Sequence, residues 1–351
     1  MLARLSGGTF AAWFGVSHRS QTEAVLRQLD QALNEPVPCS GHLVDLTLVV
    51  GFADCAGPGH PPPVDTLLRN AEVALHAAKR SALTHAWYSE AQEAARVGHL
   101  GLVSDLRTAV ADDQLQMWLQ PKFSLATGHP VGAEALVRWQ HPTRGFVSPA
   151  EFVPFAEQTG HITLVTHWML QQAVRTLSDW THAHPQLSIA VNISTRDLQD
   201  AGFVARVKHL LETSGISPQR LHLEITESGL MEDSRRSIAL LHALSDTGVQ
   251  LSIDDFGTGY SSLAYLQKMP VAELKIDRSF IDKLDVSPGT QQLVKAMVEM
   301  GHGLGLTVVA EGVETEGEKA AITALGVDVM QGYLGSRPLH GKALQDFLRT
   351  L

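Results

Sequence analysis

The sequence predicts an α/β fold in which a closed barrel follows a small, partial α/β segment. From residue 113 onwards, short apolar strands alternate with longer helical stretches, which is typical of a parallel sheet wrapped by helices. There are about eight such strands, and eight is the number that closes a filled barrel. Polar residues recur where these strands end, which indicates a functional site at one mouth of the barrel.

Composition excludes several classes of protein. The chain has 351 residues, of which 44% are hydrophobic and 18% charged, as expected for a globular protein with a sizeable core. A net charge of −10 argues against binding DNA or RNA polymers or an anionic membrane surface. No apolar run is long enough for a membrane helix, and the amino terminus lacks the apolar core of an export signal. Cys39 and Cys55 have no CxxC partner, so we expect reduced thiols in a cytoplasmic protein.

The first region has too few elements to close a sheet of ordinary size. A run of three prolines at 61–63 interrupts it, and because proline suits neither a central strand nor a helix interior, we expect a loop that leads into a helix. A further helix connects this region to the barrel, and we divide the chain into residues 1–95 and 96–351. The predicted elements are strands over 9–16 and 43–52 and helices over 21–33, 64–81 and 91–112.

The second region predicts a modified (β/α)8 TIM-type barrel with one antiparallel strand. Only the segment SLATGHP, residues 124–130, follows the first strand before the second begins. It is too short for a crossover helix, so this pair should form an antiparallel hairpin. The predicted strands span residues 115–120, 131–138, 187–192, 221–225, 249–254, 273–276, 307–310 and 328–332.

Hard oxygen ligands cluster at the predicted mouth. Each polar residue taken alone is better explained by a cap or a local hydrogen bond, but five strands ending in this way favour a shared site. Carboxylate and amide oxygens without a matching His or Cys set favour Mg²⁺, Mn²⁺ or Ca²⁺ over Zn²⁺. The residues are Glu134, within the second strand, and Asn192, Glu224, Asp254, Asp255, Asp277, Glu311 and Gln331 at strand ends.

Asp254 and Asp255 stand between the apolar run VQLSI and a loop rich in glycine. Adjacent side chains on a strand point to opposite faces, so both can reach one metal centre only where the backbone turns. So many carboxylates repel one another unless cations neutralise them, and two divalent ions are a known solution for displacement at phosphorus by an activated water. Lys275 shares a strand face with Asp277 and could orient that water, although a simple ion pair is the alternative.

Seven motifs in this order resemble the EAL-domain phosphodiesterases of cyclic di-GMP, over roughly residues 100–351. The motifs are Glu134-Ala135-Leu136 with Val137-Arg138-Trp139, Asn192-Ile193-Ser194, Glu224-Ile225-Thr226-Glu227, Asp254-Asp255-Phe256-Gly257-Thr258-Gly259-Tyr260, Lys275-Ile276-Asp277, Glu311-Gly312-Val313-Glu314 and Gln331-Gly332-Tyr333. The resemblance implies hydrolysis of 3′,5′-cyclic di-GMP to linear pGpG, with two Mg²⁺ or Mn²⁺ ions per active site.

The resemblance also implies roles for individual residues. One metal would be held by Glu134, Asn192, Glu224 and Asp254, and the second by Asp254, Asp255, Asp277 and Glu311. Lys275 would act on the water, with Gln331 positioning water or substrate, and Glu134, Asp255 and Glu311 would also be catalytic. Substrate contacts would come from Gln120, Leu136, Arg138, Asp277 and Glu314.

A loop after the paired aspartates carries a regulatory role in this family. The resemblance implies that Glu227 holds this loop and that the loop couples the metal site to a homodimer interface. From position alone, Glu227 is as well explained by a surface carboxylate. The loop residues are Phe256, Gly257, Thr258, Gly259 and Tyr260.

The first region resembles a partial, degenerate GGDEF domain. Residues 5–11 lie where the signature would stand, but Gly8 and Thr9 replace its acidic pair, so we expect no cyclase activity. An unrelated small α/β cap is the alternative, and a sensor domain upstream is plausible.

Two other function classes remain open from the sequence. A catalytically silent cyclic di-GMP receptor would be expected to lack a metal ligand or Lys275, and a glycosidase would need two opposed carboxylates rather than a cluster. One departure from the family concerns the run after Tyr333, where Gly335 removes a possible stacking surface for guanine while Arg337 keeps a positive charge.

Overall fold

A computed structural model describes all residues except 1, 7, 16–18, 34–36, 40–41, 45, 56–61, 81–82, 228, 230–233 and 260–265. Tyr260, predicted as a loop residue of the site, lies outside the described residues. The chain forms two compact units, Met1–Gly101 and Leu102–Leu351.

Within the described residues, the first unit combines short strands with two complete helices and the first half of a third, α3 (Glu90–Ala111). The strand predicted over 9–16 ends at Ala12, and the one predicted over 43–52 is divided because its two ends have different partners: β4 pairs antiparallel with β3, whereas β5 pairs parallel with β6. A Cβ on Gly51 would collide with the carbonyl oxygen of Ala71, so helix α2 packs directly on β5. The elements are β1 (Leu2–Ser6), β2 (Thr9–Ala12), α1 (Arg19–Leu33), β3 (Val37–Cys39), β4 (His42–Val44), β5 (Val50–Phe52), α2 (Val64–Arg80) and β6 (His85–Trp87).

The second unit confirms the predicted barrel. Its eight strands close because β8 pairs with both β7 and β10, and the spatial order then runs β10, β11, β12, β13, β14, β15 and back to β7. The strands are β7 (Leu115–Ser124), β8 (Pro130–His141), β10 (Ser188–Asn192), β11 (Leu221–Thr226), β12 (Gln250–Phe256), β13 (Glu273–Ile276), β14 (Thr307–Ala310) and β15 (Val329–Gln331).

Strand β7 is the antiparallel member that the short hairpin predicted. It runs antiparallel to β8 and to β15, while every other barrel pairing is parallel. Strand β8 extends beyond its predicted end and pairs there with an additional strand that the sequence analysis missed, β9 (Gly145–Val147). This extension lies outside the closed ring, so the barrel itself keeps eight strands.

Helices surround the barrel and supply its outer core layer. The outward-facing side chains of the strands, such as Leu223 and Leu274, are fully buried, as expected when helices cover a parallel sheet. The helices are α3 (Glu90–Ala111), α4 (Pro149–Thr159), α5 (Ile162–Asp179), α6 (Thr195–Gln199), α7 (Phe203–Ser214), α8 (Ser234–Ser245), α9 (Pro288–Gly303), α10 (Glu316–Ala324) and α11 (Gly341–Leu348). Within the described ranges, no helix combines the length and apolar character needed to cross a membrane.

Arg220 directly precedes β11 and so lies at the end of the barrel opposite the mouth. It is buried, and its guanidinium donates hydrogen bonds to the carbonyl oxygens of Leu187 (2.9 Å), Leu177 (3.1 Å) and His184 (3.1 Å). The carbonyl of Leu177 lies in the last turn of helix α5, where a cation is favourable.

We expect Arg220→Met to lower the free energy of unfolding by about 2–3 kcal/mol, because several buried acceptors lose their donor. Urea denaturation would measure the change. Arg349→Met removes an exposed arginine from the end of the chain (side chain 76% exposed) and should leave the midpoint unchanged. A midpoint for Arg220→Met equal to that of the parent chain would refute the stabilising role of these bonds.

Candidate active site at the barrel mouth

The carboxyl ends of neighbouring strands bring the predicted polar residues together. Strand register places Ala190 beside Glu134, Asn192 beside Glu224, and Thr226 beside Asp254. Glu134, Glu224 and Asp254 are all buried. The mouth therefore holds a concentrated set of carboxylates with little access to bulk water.

Lys275 lies at the centre of this set. Its Nζ is 2.7 Å from Glu311 Oε1, 2.8 Å from Glu224 Oε2, 3.0 Å from Asp254 Oδ1 and 3.6 Å from Glu134 Oε2. The side chain is fully buried. Burial alone lowers the pKa of an ammonium, but the surrounding carboxylates outweigh it and raise the pKa of Lys275 well above its ordinary value. Lys275 is thus a fixed cation that ties its own strand, β13, to carboxylates in or directly after four other strands.

Two amide side chains orient Glu134. Asn192 Nδ2 donates to Glu134 Oε1 at 2.7 Å, and Gln331 Nε2 donates to Glu134 Oε2 at 2.6 Å. The same Gln331 nitrogen lies 3.3 Å from Gln120 Oε1, and Gln120 Nε2 donates to the carbonyl of Ser336 at 3.3 Å. These bonds connect β7, β8, β10 and β15 around one carboxylate.

A backbone irregularity turns both aspartates toward the mouth. Asp255 has a φ of 54°, in the left-handed region that Asp and Asn tolerate better than most residues. The pairing of β12 with β13 shifts register between Ile253 and Phe256, and such bulges re-aim side chains next to active sites. The backbone N–H of Asp255 donates to Asp254 Oδ1 at 3.0 Å. This resolves how two adjacent strand residues face the same space.

Among the described residues, two groups of carboxylates bring one oxygen from each member within 4.8 Å of the others' oxygens. They share Asp254, which therefore lies between two potential cation sites. Gln331 Oε1 is buried and accepts no hydrogen bond, which leaves a further hard oxygen at the same mouth. The first group is Glu134, Glu224 and Asp254, and the second is Asp254, Asp255 and Glu311.

The electrostatics of the mouth fit the binding of divalent cations. Burial raises the pKa of Glu311 well above its ordinary value, and burial likewise raises the pKa of Glu134 and of Asp255, with neighbouring carboxylates adding to each shift. For Glu224, burial also raises the pKa, but Lys275 and Lys122 outweigh it and bring the pKa to about 2. Excess negative charge in a buried pocket of oxygen ligands is the condition under which Mg²⁺ or Mn²⁺ binds.

Asp277 and Glu314 lie at the edge of the site. Asp277 Oδ1 accepts a hydrogen bond from the backbone N–H of Ser279 at 3.0 Å, and its charge is close enough to raise the pKa of Asp255. Glu314 Oε1 is 2.8 Å from Arg278 Nη2, and both side chains are partly exposed. The predicted metal role of Asp277 and substrate role of Glu314 stay predictions.

Glu227 holds the start of the loop after the paired aspartates. Its Oε2 accepts hydrogen bonds from the backbone N–H groups of Gly257 at 2.9 Å and Gly259 at 3.3 Å, and the side chain is buried. Gly257 has a φ of 100°, which requires glycine. Phe256 is buried in the core, and Thr258 Oγ1 donates to the carbonyl of Asp255 at 2.8 Å. Glu227 is therefore not a surface carboxylate.

The wall formed by β7 and β8 carries the predicted substrate residues Arg138 and Leu136, both partly buried. The Arg138 guanidinium lies 6.0 Å from the ring centre of Trp118, and its Nη1 donates to the carbonyl of Val137 at 2.9 Å. Among the hydrogen bonds and ion pairs given above, none joins Arg138 or Leu136 to the carboxylate cluster. The predicted substrate roles of both residues stay predictions.

Packing explains the glycine that departs from the family pattern. A Cβ on Gly335 would lie 2.7 Å from the ring of Phe123, so a larger residue there would require the ring to shift. The positive charge of Arg337 lies 4.5 Å from the ring centre of Tyr333. An aromatic–cation pair is thus present two residues to either side of Gly335.

A buried polar layer, which we did not predict from the sequence, lies beneath the mouth. Lys122 Nζ lies 3.0 Å from Glu224 Oε1 and 3.0 Å from Glu273 Oε1, and Ser252 Oγ donates to Glu273 Oε1 at 3.1 Å. Strand periodicity was the available signal, because Lys122 follows Gln120 by two positions and Glu273 precedes Lys275 by two. Each pair therefore shares the inward face of its strand.

Comparison with known proteins places this geometry in a family. The sequence pattern of the EAL domain matches residues 103–338. Cyclic di-GMP phosphodiesterase NbdA of Pseudomonas aeruginosa is 39% identical over 352 aligned positions, covering 100% of this chain and 45% of the relative. Bifunctional diguanylate cyclase/cyclic di-GMP phosphodiesterase MucR of the same organism is 37% identical over 345 positions, covering 98% of this chain and 50% of the relative.

Solved structures agree with the sequence comparison. The PaMucR phosphodiesterase in complex with c-di-GMP is 43% identical, with a TM-score of 0.66, covering 70% of this chain and 99% of that one. The EAL enzyme Bd1971 bound to cAMP and cyclic di-GMP is 32% identical, with a TM-score of 0.67, covering 73% of this chain and 69% of that one. The chain spans about half the length of the curated relatives named above. The barrel, its mouth and these matches together show that the chain belongs to the EAL domain family.

Proposed function

We propose that this chain hydrolyses cyclic di-GMP to linear pGpG with the help of two divalent cations. The observation that carries the proposal is the buried mouth, in which Lys275 contacts four carboxylates and Asp254 belongs to two potential cation groups. The relatives named as cyclic di-GMP phosphodiesterases support the choice of substrate.

The residues of the mouth fit Mg²⁺ or Mn²⁺. Hard oxygen donors predominate, the excess charge is negative, and Gln331 offers an oxygen without a hydrogen bond. When bound, such a pair of ions would lower the pKa of a water molecule and stabilise charge on both the attacking and the leaving oxygen. We assign Glu134, Asn192, Glu224 and Asp254 to one ion, and Asp254, Asp255, Asp277 and Glu311 to the other.

The chain's own residues position the substrate and the attacking water. Arg138 lies on the wall of the mouth, where its guanidinium can donate two hydrogen bonds to a phosphodiester. Lys275 donates hydrogen bonds and keeps its proton, because carboxylates surround its ammonium. It can therefore orient the water or stabilise negative charge on phosphorus. Water adds its oxygen to phosphorus, the bond from phosphorus to O3′ breaks, and O3′ leaves with a proton to give pGpG.

Incubation of the chain with cyclic di-GMP and Mn²⁺, followed by chromatography and mass spectrometry, tests the proposal. We expect a product with the mass of cyclic di-GMP plus one water and the retention of pGpG, and none when a chelator replaces Mn²⁺. Binding of cyclic di-GMP without any product would instead identify a silent receptor and overturn the proposal.

We expect Glu227→Gln to reduce turnover by about 10- to 100-fold, as is typical when a residue supporting a metal site is changed. The neutral amide of glutamine accepts weaker hydrogen bonds from the backbone N–H groups of Gly257 and Gly259. The backbone that follows Asp255 is then held less firmly, so the Asp255 carboxylate loses its fixed position. Turnover measured against Mn²⁺ concentration would show the change. Glu212→Gln, an exposed glutamate on helix α7, is the matched control, and equal kinetics for both variants would contradict the supporting role.

Several wider assignments belong to the same proposal. We infer a homodimer in which the loop after Asp255 reports on the interface, and a cytoplasmic protein. We also assign residues 1–95 to a partial, degenerate GGDEF-like segment without cyclase activity and residues 96–351 to the phosphodiesterase. The alignment of this whole chain with relatives, one of them named as a bifunctional cyclase and phosphodiesterase, supports the assignment of the first segment.

A further inference from the structure

We propose that Lys122 is a positioning residue that fixes Glu224 for cation binding, with Glu273 and Ser252 holding Lys122 in turn. The inference rests on the proposed function, because it assumes that Glu224 is a cation ligand. It gives the single antiparallel strand of the barrel a role in the site.

Glu224 is held from both of its oxygens. Lys122 Nζ lies 3.0 Å from Oε1, and Lys275 Nζ lies 2.8 Å from Oε2. Glu224 is fully buried, and Lys122 is 2% exposed, so water cannot replace either partner. A carboxylate held in this way cannot rotate about its terminal bond, and each oxygen keeps a defined direction.

Glu273 prevents Lys122 from neutralising Glu224. A buried ammonium paired with one carboxylate would cancel the charge that attracts a cation. Here the Lys122 ammonium is equidistant from Glu224 and Glu273, at 3.0 Å from each, and Ser252 Oγ donates to the same Glu273 oxygen at 3.1 Å. Lys122 and Glu273 therefore balance each other as a lower layer, and the charge of Glu224 stays available to the mouth.

The alternative is a purely structural ion pair that fills the base of the barrel. Such a pair would affect the stability of the fold but not the affinity for a cation once the protein is folded. Residues that orient metal ligands, in contrast, change metal affinity by about 10- to 100-fold when they are replaced. The two roles therefore differ in a measurable quantity.

The experiment compares the parent chain with Lys122→Met and with the double variant Lys122→Met/Glu273→Gln. Leaving Glu273 unpaired makes the single variant unstable, whereas the double variant removes both charges of the lower layer and should recover thermal stability. Calorimetric titration with Mn²⁺ alone, without substrate, measures affinity, and thermal unfolding without Mn²⁺ measures stability. We expect both variants to bind Mn²⁺ at least about tenfold more weakly than the parent chain.

A matched control removes a different buried cation. Arg220→Met lowers stability at the far end of the barrel and should keep the parent affinity for Mn²⁺. If the parent chain binds Mn²⁺ and the double variant binds it with the same affinity, the positioning role of Lys122 is overturned. The proposed function is then unaffected. A parent chain that binds no Mn²⁺ would overturn the proposed function and this inference with it.

Discussion

Replacing Asp255 with asparagine is expected to reduce the turnover of cyclic di-GMP by about 10²–10³-fold, the range seen when one preorganised electrostatic group is removed. The change removes one anion from the second group of carboxylates while keeping the side-chain shape. Asparagine suits this position because the φ of 54° at Asp255 lies in the left-handed region that Asn tolerates. The fold should therefore survive the change.

Asp346→Asn provides the control for this prediction. Asp346 lies on helix α11, where its partly exposed carboxylate pairs with Arg349. Steady-state kinetics on both variants, with circular dichroism to verify folding, would separate two causes. One is the loss of a cation ligand at the mouth, and the other is the loss of a negative charge anywhere on the protein. Turnover by Asp255→Asn within a factor of two of the parent chain would rule out the second cation group.

Replacing Lys275 with methionine should abolish detectable turnover and destabilise the protein in the absence of divalent cations. Four carboxylates lose their shared ammonium, and breaking a buried ion pair costs about 3–5 kcal/mol. For a unit of this size, each kcal/mol shifts the melting temperature by about 2–4 °C. Differential scanning calorimetry with and without Mn²⁺ would measure the change in stability, and chromatography of the reaction with cyclic di-GMP would measure turnover.

The cation dependence makes this prediction specific. Because Mn²⁺ neutralises the same carboxylates, it should raise the melting temperature of Lys275→Met by more degrees than that of the parent chain. Lys295→Met, which removes a largely exposed lysine from helix α9, should behave as the parent does. An unchanged melting temperature for cation-free Lys275→Met would show that the carboxylates are not held by this ammonium.

Much of the barrel could be predicted because its signals are local. Alternation of apolar strands with helices gave the fold class, and the short segment between the first two strands gave the antiparallel hairpin, which the pairing of β7 with β8 confirms. Strand β9 escaped because it is an extension of that hairpin, only three residues long. The divided strand of the first unit escaped because its pairing partners lie elsewhere in the chain.

Candidate site residues could be predicted from the sequence where a carboxylate or an amide stands at the end of a strand. Acidic residues at strand ends could be recognised one by one, but their grouping around Lys275 depends on the closure of the barrel. The turn that lets Asp254 and Asp255 face together is a backbone conformation at Asp255 itself, rather than at the glycines that follow. Lys122 escaped because a lysine within a strand is usually exposed, and only the partners across the barrel identify it as buried.

Diffraction from crystals grown with Mn²⁺, at a wavelength where manganese scatters anomalously, would locate the cations at the barrel mouth. We expect two anomalous peaks, one beside Glu134 and Glu224 and one beside Asp255 and Glu311, with Asp254 next to both. One peak only, or peaks away from these carboxylates, would contradict the assignment of a two-cation site.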